Sequence, residues 1–211
     1  MDVQPRSALL TMTTRPRSDK KAQAILHAAR RCLSERGYAA ATIADIATEA
    51  GVSRGLLHYY FKSKEDLLAQ VVRAGTDGYV ELLEAMFART ESADDLAKEL
   101  VVATRTIVES DPTFVSLTMD YWTLAHESPL VGHELKDLYR QLIGAIEEGL
   151  EEAESRGIIK PKIALGPLAA LLLAMTDGFV MQLHIRPELA ADARMWEALE
   201  VGARRLLGTG E

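Results

Sequence analysis

Apolar positions repeat at helical spacing along nearly the whole chain. Between Asp19 and Arg36, Ile25, Ala29, Cys32 and Leu33 share one face, and Gly37 follows as a stop. Thr42 then opens a second helix. Asp45 stands three residues on in the capping-box position, Ile43, Ile46, Ala47 and Ala50 form the inner face, and Gly51 ends it. Ser53 caps a third, short helix from Arg54 to about Phe61. Ser63 caps a fourth, with Asp66 as box partner and Leu67, Leu68, Val71 and Val72 as its stripe. Further helices are predicted near Thr76–Thr90, Ala93–Ser110, Pro112–His126, Leu130–Arg156, Leu165–Leu183 and Ala190–Leu207. No stretch alternates like a strand between hairpin turns. The fold class is therefore all-α, with about nine to ten helices.

Charge divides the chain. Residues 1–64 carry eleven Lys/Arg against five Asp/Glu, a net of +6, whereas residues 65–211 carry thirteen against twenty-six, a net of −13. A basic end on an acidic body meets a polyanion in one orientation only. Solvated surface charge is the plainer reading of the same numbers. Hydrophobic residues make up 48% of the 211 positions, which excludes a disordered chain. A lone cysteine, Cys32, excludes an internal disulfide framework. The longest unbroken apolar run, Leu168 to Met175, falls short of the roughly 20 residues of a membrane span. Ala8-Leu9-Leu10 is too short for a signal-peptide core. These features predict a cytoplasmic protein without a membrane partner.

Helix, glycine corner, short helix is the pattern of Thr42–Gly51–Ser53–Tyr60. Val52 and Leu57 would pack onto Ile46 and the Ile25/Ala29 face, leaving one side of the short helix uncovered. An uncovered short helix after a tight turn is what enters the major groove in a helix-turn-helix protein. Arg54, Gly55, His58 and Tyr59 occupy that side. Gly55 lets backbone and phosphate approach, and Arg54 can fork onto a guanine or pair a phosphate. Lys64 and the free N–H groups of the next helix could hold a phosphate together. Arg15, Arg17, Lys20 and Lys21 read either as a solvated tail or as a basic arm tracking the backbone or minor groove. The predicted organisation is a basic arm at 1–17, a three-helix helix-turn-helix domain at 18–66, and a larger helical domain at 67–211.

The run from Thr42 to Ala47, the Ala50-Gly51-Val52-Ser53-Arg54-Gly55 corner, and the following Leu56-Leu57-His58-Tyr59-Tyr60-Phe61-Lys62-Ser63-Lys64-Glu65-Asp66-Leu67 resemble the DNA-binding domain of the TetR family of bacterial transcriptional regulators. The resemblance covers roughly residues 19–70 without a gap. It implies DNA-contact positions at Thr42, Ser53, Arg54, Gly55, His58, Tyr59, Tyr60 and Lys64. Leu56 stands where the family often has threonine, His58 where an aromatic residue is frequent, and Tyr60 where histidine is common. The family further implies a homodimer formed by the last two long helices as a four-helix bundle. It also implies a repressor that leaves a partly palindromic double-stranded operator when a small effector binds. The segment Ala174-Met175-Thr176-Asp177-Gly178-Phe179 resembles a recurrent stretch of that interface helix.

Beyond residue 75 the resemblance is loose. Leu168 to Met175 is apolar all round and must be covered on every side, which a second subunit would do. Leu138, Leu142, Ile146, Leu168, Leu172, Met175 and Phe179 are the candidate dimer residues. Candidates for a small, largely apolar effector are Met86, Phe87, Phe114, Met119, Trp122, His126, Met175 and Phe179. Core packing explains any one of them equally well. A DNA binder with no effector, or one regulated by another protein, fits the same N-terminal motif. Nucleophile elbow, P-loop, dinucleotide, HExxH and CxxC motifs are absent from the sequence, so no catalytic residue, metal site or cofactor is assigned.

Overall fold

The computed structural model describes residues 20–110 and 112–208. Every regular element among them is helical. In chain order they are α1 (Lys20–Ala40), α2 (Ile43–Glu49), α3 (Arg54–Tyr60), α4 (Lys64–Arg89), α5 (Ala93–Ser110), α6 (Pro112–Glu127), α7 (Pro129–Ser155), α8 (Leu165–Ile185) and α9 (Ala193–Leu206). A 3₁₀ turn at Pro187–Ala191 precedes α9.

The predicted caps set the first elements. Thr42 and Asp45 form a reciprocal capping box, with Asp45 N donating to Thr42 Oγ1 at 3.2 Å and Thr42 N to Asp45 Oδ2 at 3.0 Å. The Thr42 hydroxyl and N–H hold the Asp45 carboxyl below its ordinary value, and Arg36 adds to this through an ion pair of 2.9 Å. Gly37 breaks the end of α1 with φ 74°. Ile25, Ala29 and Leu33 of α1 meet Ile46 and Ala47 of α2, Leu57 of α3, and Leu67, Leu68, Val71 and Val72 of α4 in one core.

Two boundaries differ from the sequence expectation. Residues 64–89 form one helix, so Thr76 starts nothing: it is buried inside α4 and donates to the Val72 carbonyl at 3.0 Å. Gly75 and Gly78 lower helix propensity by about 1 kcal/mol each, which packing overrides. A Cβ on Gly75 would lie 2.3 Å from Phe114 Cε2, so glycine is what lets α6 lie against α4. At the other end, Ala190 belongs to the 3₁₀ turn and α9 begins only after Asp192, whose side chain accepts from Arg194 N at 3.0 Å.

The helix that crosses residue 66 joins the two halves. The first turns of α4 lie in the α1–α3 core, and Leu83, Met86 and Phe87 lie in a second core with α5, α7, α8 and α9. Leu117 and Tyr121 of α6, with Val131 and Leu138 of α7, pack into the first core. By length and composition α8 could cross a membrane. It contains Asp177, and its Leu168, Ala169, Leu172 and Leu173 belong to the second core with Leu150 of α7 and Ala203 of α9.

Candidate nucleic-acid interface and ligand cavity

The corner between α2 and α3 is built by Gly51 at φ 65°, a left-handed conformation that costs glycine little. Val52 N donates back to Ala47 O at 2.9 Å, and Ser53 Oγ accepts from Leu56 N at 3.1 Å, closing one helix and opening the next. Leu57 is completely buried and pins α3 by its inner face. Burial of such a side chain is worth about 1.5–3 kcal/mol. Arg54, Gly55, His58 and Tyr59 consequently point outward, with Tyr59 73% exposed. Tyr60 is half-buried and meets the Tyr59 ring edge-on at 5.2 Å. Thr42 and Ser53 are exposed at the rims of the same surface while serving as caps.

Lys64 departs from its expected position. Its ammonium donates to the carbonyls of Tyr38 at 2.7 Å and Ala41 at 3.0 Å, and lies 4.2 Å from the centre of the Tyr38 ring. Gly37 frees those carbonyls by breaking the helix. The neighbouring Lys62 is exposed instead. Arg31 pairs with Glu49 at 2.7 Å and Arg36 with Asp45, so part of the basic charge fastens α1 to α2. Lys20 and Lys21 are exposed at the start of α1. Arg15 and Arg17, with the whole predicted arm 1–17, lie outside the described residues.

A cavity of about 90 Å³ opens between α4, α5, α6, α7 and α8. Phe114, Met119 and Trp122 of α6 line it, as expected. The other effector candidates lie elsewhere. Met86 and Phe87 face a much smaller void of about 20 Å³. Met175 and Phe179 turn toward α9, where Phe179 meets Trp196 edge-on at 5.1 Å. His126 is exposed at the end of α6, with Nδ1 3.0 Å from the Trp122 carbonyl. It lies one turn beyond Trp122, at the end of α6, and does not line the cavity.

Residues that sequence reasoning missed supply the cavity's polarity. Thr76 and Tyr79 of α4, Thr104 of α5, Thr118 of α6, Tyr139 of α7, and Thr176 and Asp177 of α8 reach its wall. Tyr139 donates to Asp177 Oδ2 at 2.7 Å. Burial lifts the Asp177 carboxyl above its ordinary value, and the Tyr139 hydroxyl partly opposes this. Burial, then the Asp177 charge, pushes the Tyr79 hydroxyl up to about 12, against a downward pull from Thr176. The same two causes raise Tyr139, against the Trp122 indole. A sequence signal did exist: Asp177 is the only acidic residue between Leu165 and Ile185. Among the hydrophobic neighbours of α8 such a residue needs a reason.

Four of the proposed dimer residues, Leu138, Ile146, Leu168 and Leu172, are instead buried within the protomer's own cores. Leu142 lines the cavity. Apolarity all round α8 hid which face was outermost. That face carries Pro167, Ala170, Leu171, Ala174, Gly178 and Ile185, with Leu171 45% and Ile185 66% exposed. Ala198 and Val201 of α9 are exposed too.

Comparison with known proteins agrees with this architecture. Residues 25–71 match the model described as "Bacterial regulatory proteins, tetR family". Residues 98–208, more than half the chain, match "BetI-type transcriptional repressor, C-terminal". The chain is 28% identical over 170 residues to the HTH-type transcriptional repressor AcnR of Corynebacterium diphtheriae, covering 76% of this chain and 80% of that one. Its fold is similar to that of GusR from Salmonella enterica, with a TM-score of 0.76, 22% identity, and coverage of 92% and 99% of the two chains. It is also similar to FadR from Bacillus subtilis in complex with stearoyl-CoA, with a TM-score of 0.71, 18% identity, and coverage of 90% and 99%.

Proposed function

The chain belongs to the TetR family of bacterial transcriptional regulators, and from that premise we propose a homodimeric, cytoplasmic repressor that leaves a partly palindromic operator when a small molecule enters the α4–α8 cavity. The observation that carries the reading is the outward face of α3. Arg54, Gly55, His58 and Tyr59 are held clear of the protein by the Gly51 corner and the buried Leu57. Thr42, Ser53, Tyr60 and Lys62 flank that face, with Lys20 and Lys21 at the start of α1 able to follow the phosphates.

Release follows from the double role of α6. Phe114, Met119 and Trp122 wall the cavity, while Thr113 Oγ1 lies 2.9 Å from Ser34 Oγ and Asp120 Oδ2 accepts from Tyr38 N at 3.2 Å. A ligand that displaces α6 therefore drags the end of α1 and the frame of α3. In a dimer this changes the spacing of two recognition helices that must meet major-groove faces about 34 Å apart. Coupling of this kind amounts to about 1–3 kcal/mol. The exposed α8 face, with its small residues, together with Val201 of α9 supports the dimer surface. FadR, solved with a bound small molecule in the same fold, supports the effector.

The test is Arg54→Ala, assayed on operator fragments selected from the source genome. Affinity should fall by about 1–3 kcal/mol with an unchanged melting temperature, and the salt dependence should flatten. Unaltered affinity and salt slope would remove α3 as the reading helix.

A further inference from the structure

Resting on the DNA-binding reading above, we infer that Gly55 is a specificity-determining residue of α3, its missing side chain leaving a recess that receives the 5-methyl group of a thymine in each operator half-site. Nothing in the chain's own packing calls for glycine there. Its backbone is helical, not left-handed like that of Gly51. Beyond its chain neighbours and its own helix backbone, a Cβ built on Gly55 would meet one atom within 4 Å among the described residues. That atom is Ser53 Oγ at 3.9 Å, an ordinary van der Waals distance. At Gly75 and Gly149, by contrast, a Cβ would strike Phe114 at 2.3 Å and Phe87 at 2.2 Å, so packing demands those two. Glycine is the poorest helix former after proline, and α3 has only seven residues over which to spread the cost. Alanine would fit the protein and strengthen the helix. The space above Gly55 therefore serves something outside the protomer.

Position and chemistry identify the occupant. At about 100° per residue, Arg54, His58, Gly55 and Tyr59 follow one another in that order round the outward side of α3. Gly55 thus lies within the row, between His58 and Tyr59, and not at the rim with Thr42 and Ser53. A helical side chain ordinarily leans back over the residue four places before it. Tyr59 leaves that space open: no atom of its ring comes within 4 Å of the Gly55 Cβ position, and the ring meets Tyr60 edge-on at 5.2 Å. The nearby hydroxyl, Ser53 Oγ, already accepts from Leu56 N at 3.1 Å. The floor of the recess is the Gly55 methylene, and its far wall is the Tyr59 ring. Hydrocarbon of this kind rewards a methyl group and not a phosphate oxygen. On the base edges of the major groove, the thymine 5-methyl is the group that matches. No acidic residue occurs between Ser53 and Lys64, so α3 can come down onto those edges without repulsion.

The experiment measures binding of the full-length protein, by fluorescence anisotropy at fixed salt, to an operator fragment selected from the source genome. Each thymine is replaced in turn by uracil, which removes the 5-methyl and keeps the Watson–Crick edge. One position per half-site should weaken the wild type about fourfold, and about fifteenfold when changed in both half-sites. Gly55→Ala should melt about 1–3 °C higher than wild type. The same variant should bind the thymine operator about tenfold or more weakly. On the operator carrying uracil at that position it should bind at least as well as on thymine, so the two changes are not additive. Undiminished operator binding by G55A would overturn the recess. So would a wild type indifferent to every uracil, with α3 still standing as the reading helix. An equal loss for G55A on both operators would give the space to a phosphate and overturn the thymine assignment. Failure of the wild type to retain any fragment above competitor DNA would remove the DNA-binding reading and the recess together.

Discussion

Replacing Lys64 by Met separates two accounts of one residue. Position alone gives Lys64 to a DNA phosphate. The structure gives it to the broken end of α1, through hydrogen bonds of 2.7 and 3.0 Å to the carbonyls of Tyr38 and Ala41 and a ring contact at 4.2 Å. A hydrogen bond to a charged group is worth about 1.5–3 kcal/mol, and an exposed ring contact about 0.5–1 kcal/mol. The site is only half-buried, so water reaches the released carbonyls and much of that sum is recovered. Methionine keeps the aliphatic stem. A net loss of about 2 kcal/mol remains, most of it from the two hydrogen bonds. Urea unfolding at fixed protein concentration should show the midpoint lowered by about 0.5–1 M. Operator affinity measured against salt should keep its slope, because each lost phosphate contact would flatten it by about 0.9 per protomer. An unchanged midpoint with a flattened slope would refute the clamp and restore the phosphate contact.

Three further outcomes follow from the packing. Gly75→Ala should force the Phe114 ring toward the cavity, since its Cβ would stand 2.3 Å from that ring. Overpacking of about 1–3 kcal/mol exceeds the alanine's helix gain of about 1 kcal/mol, so calorimetry should show a lower melting temperature. A higher melting temperature would contradict that packing. Leu171→Glu should yield folded monomers in sedimentation velocity, whereas Leu172→Glu, 4% exposed in the protomer, should not fold; a dimeric L171E would remove the α8 face from the interface. Burial raises the Asp177 carboxyl, so the native state holds its proton more tightly than the unfolded chain. The wild type, relative to D177N, should be most stable below about pH 4 and lose that margin as pH rises through the native value. Parallel stability curves for the two proteins would exclude the shift.

Local chemistry made the amino-terminal third legible. The Thr42–Asp45 box, the Gly51 corner and the Ser53 and Ser63 caps act within a few residues, so their sequence spacing already states their geometry. The exposed row of Arg54, Gly55, His58 and Tyr59 follows once Leu57 is known to point inward. Helical class was legible for the same reason, since apolar spacing at 3.6 residues is a property of the chain alone.

Tertiary structure decided what depends on partners distant in sequence. The close approach of α6 to α4 rests on Gly75 lying against Phe114, and the inward turn of Lys64 on carbonyls freed at Gly37, 27 residues earlier. An α8 apolar on every side offers no periodicity to mark its outer face. Only the packing of α7 and α9 places Leu168 and Leu172 inside and Leu171 outside. Likewise the cavity exists only where five helices fail to close. Trp122 could be suspected from its residue type, but Asp177 and Tyr139, 38 residues apart, meet because α7 and α8 lie side by side. A chain encodes each helix through neighbours a turn away. The spaces between helices belong to the assembly of all of them.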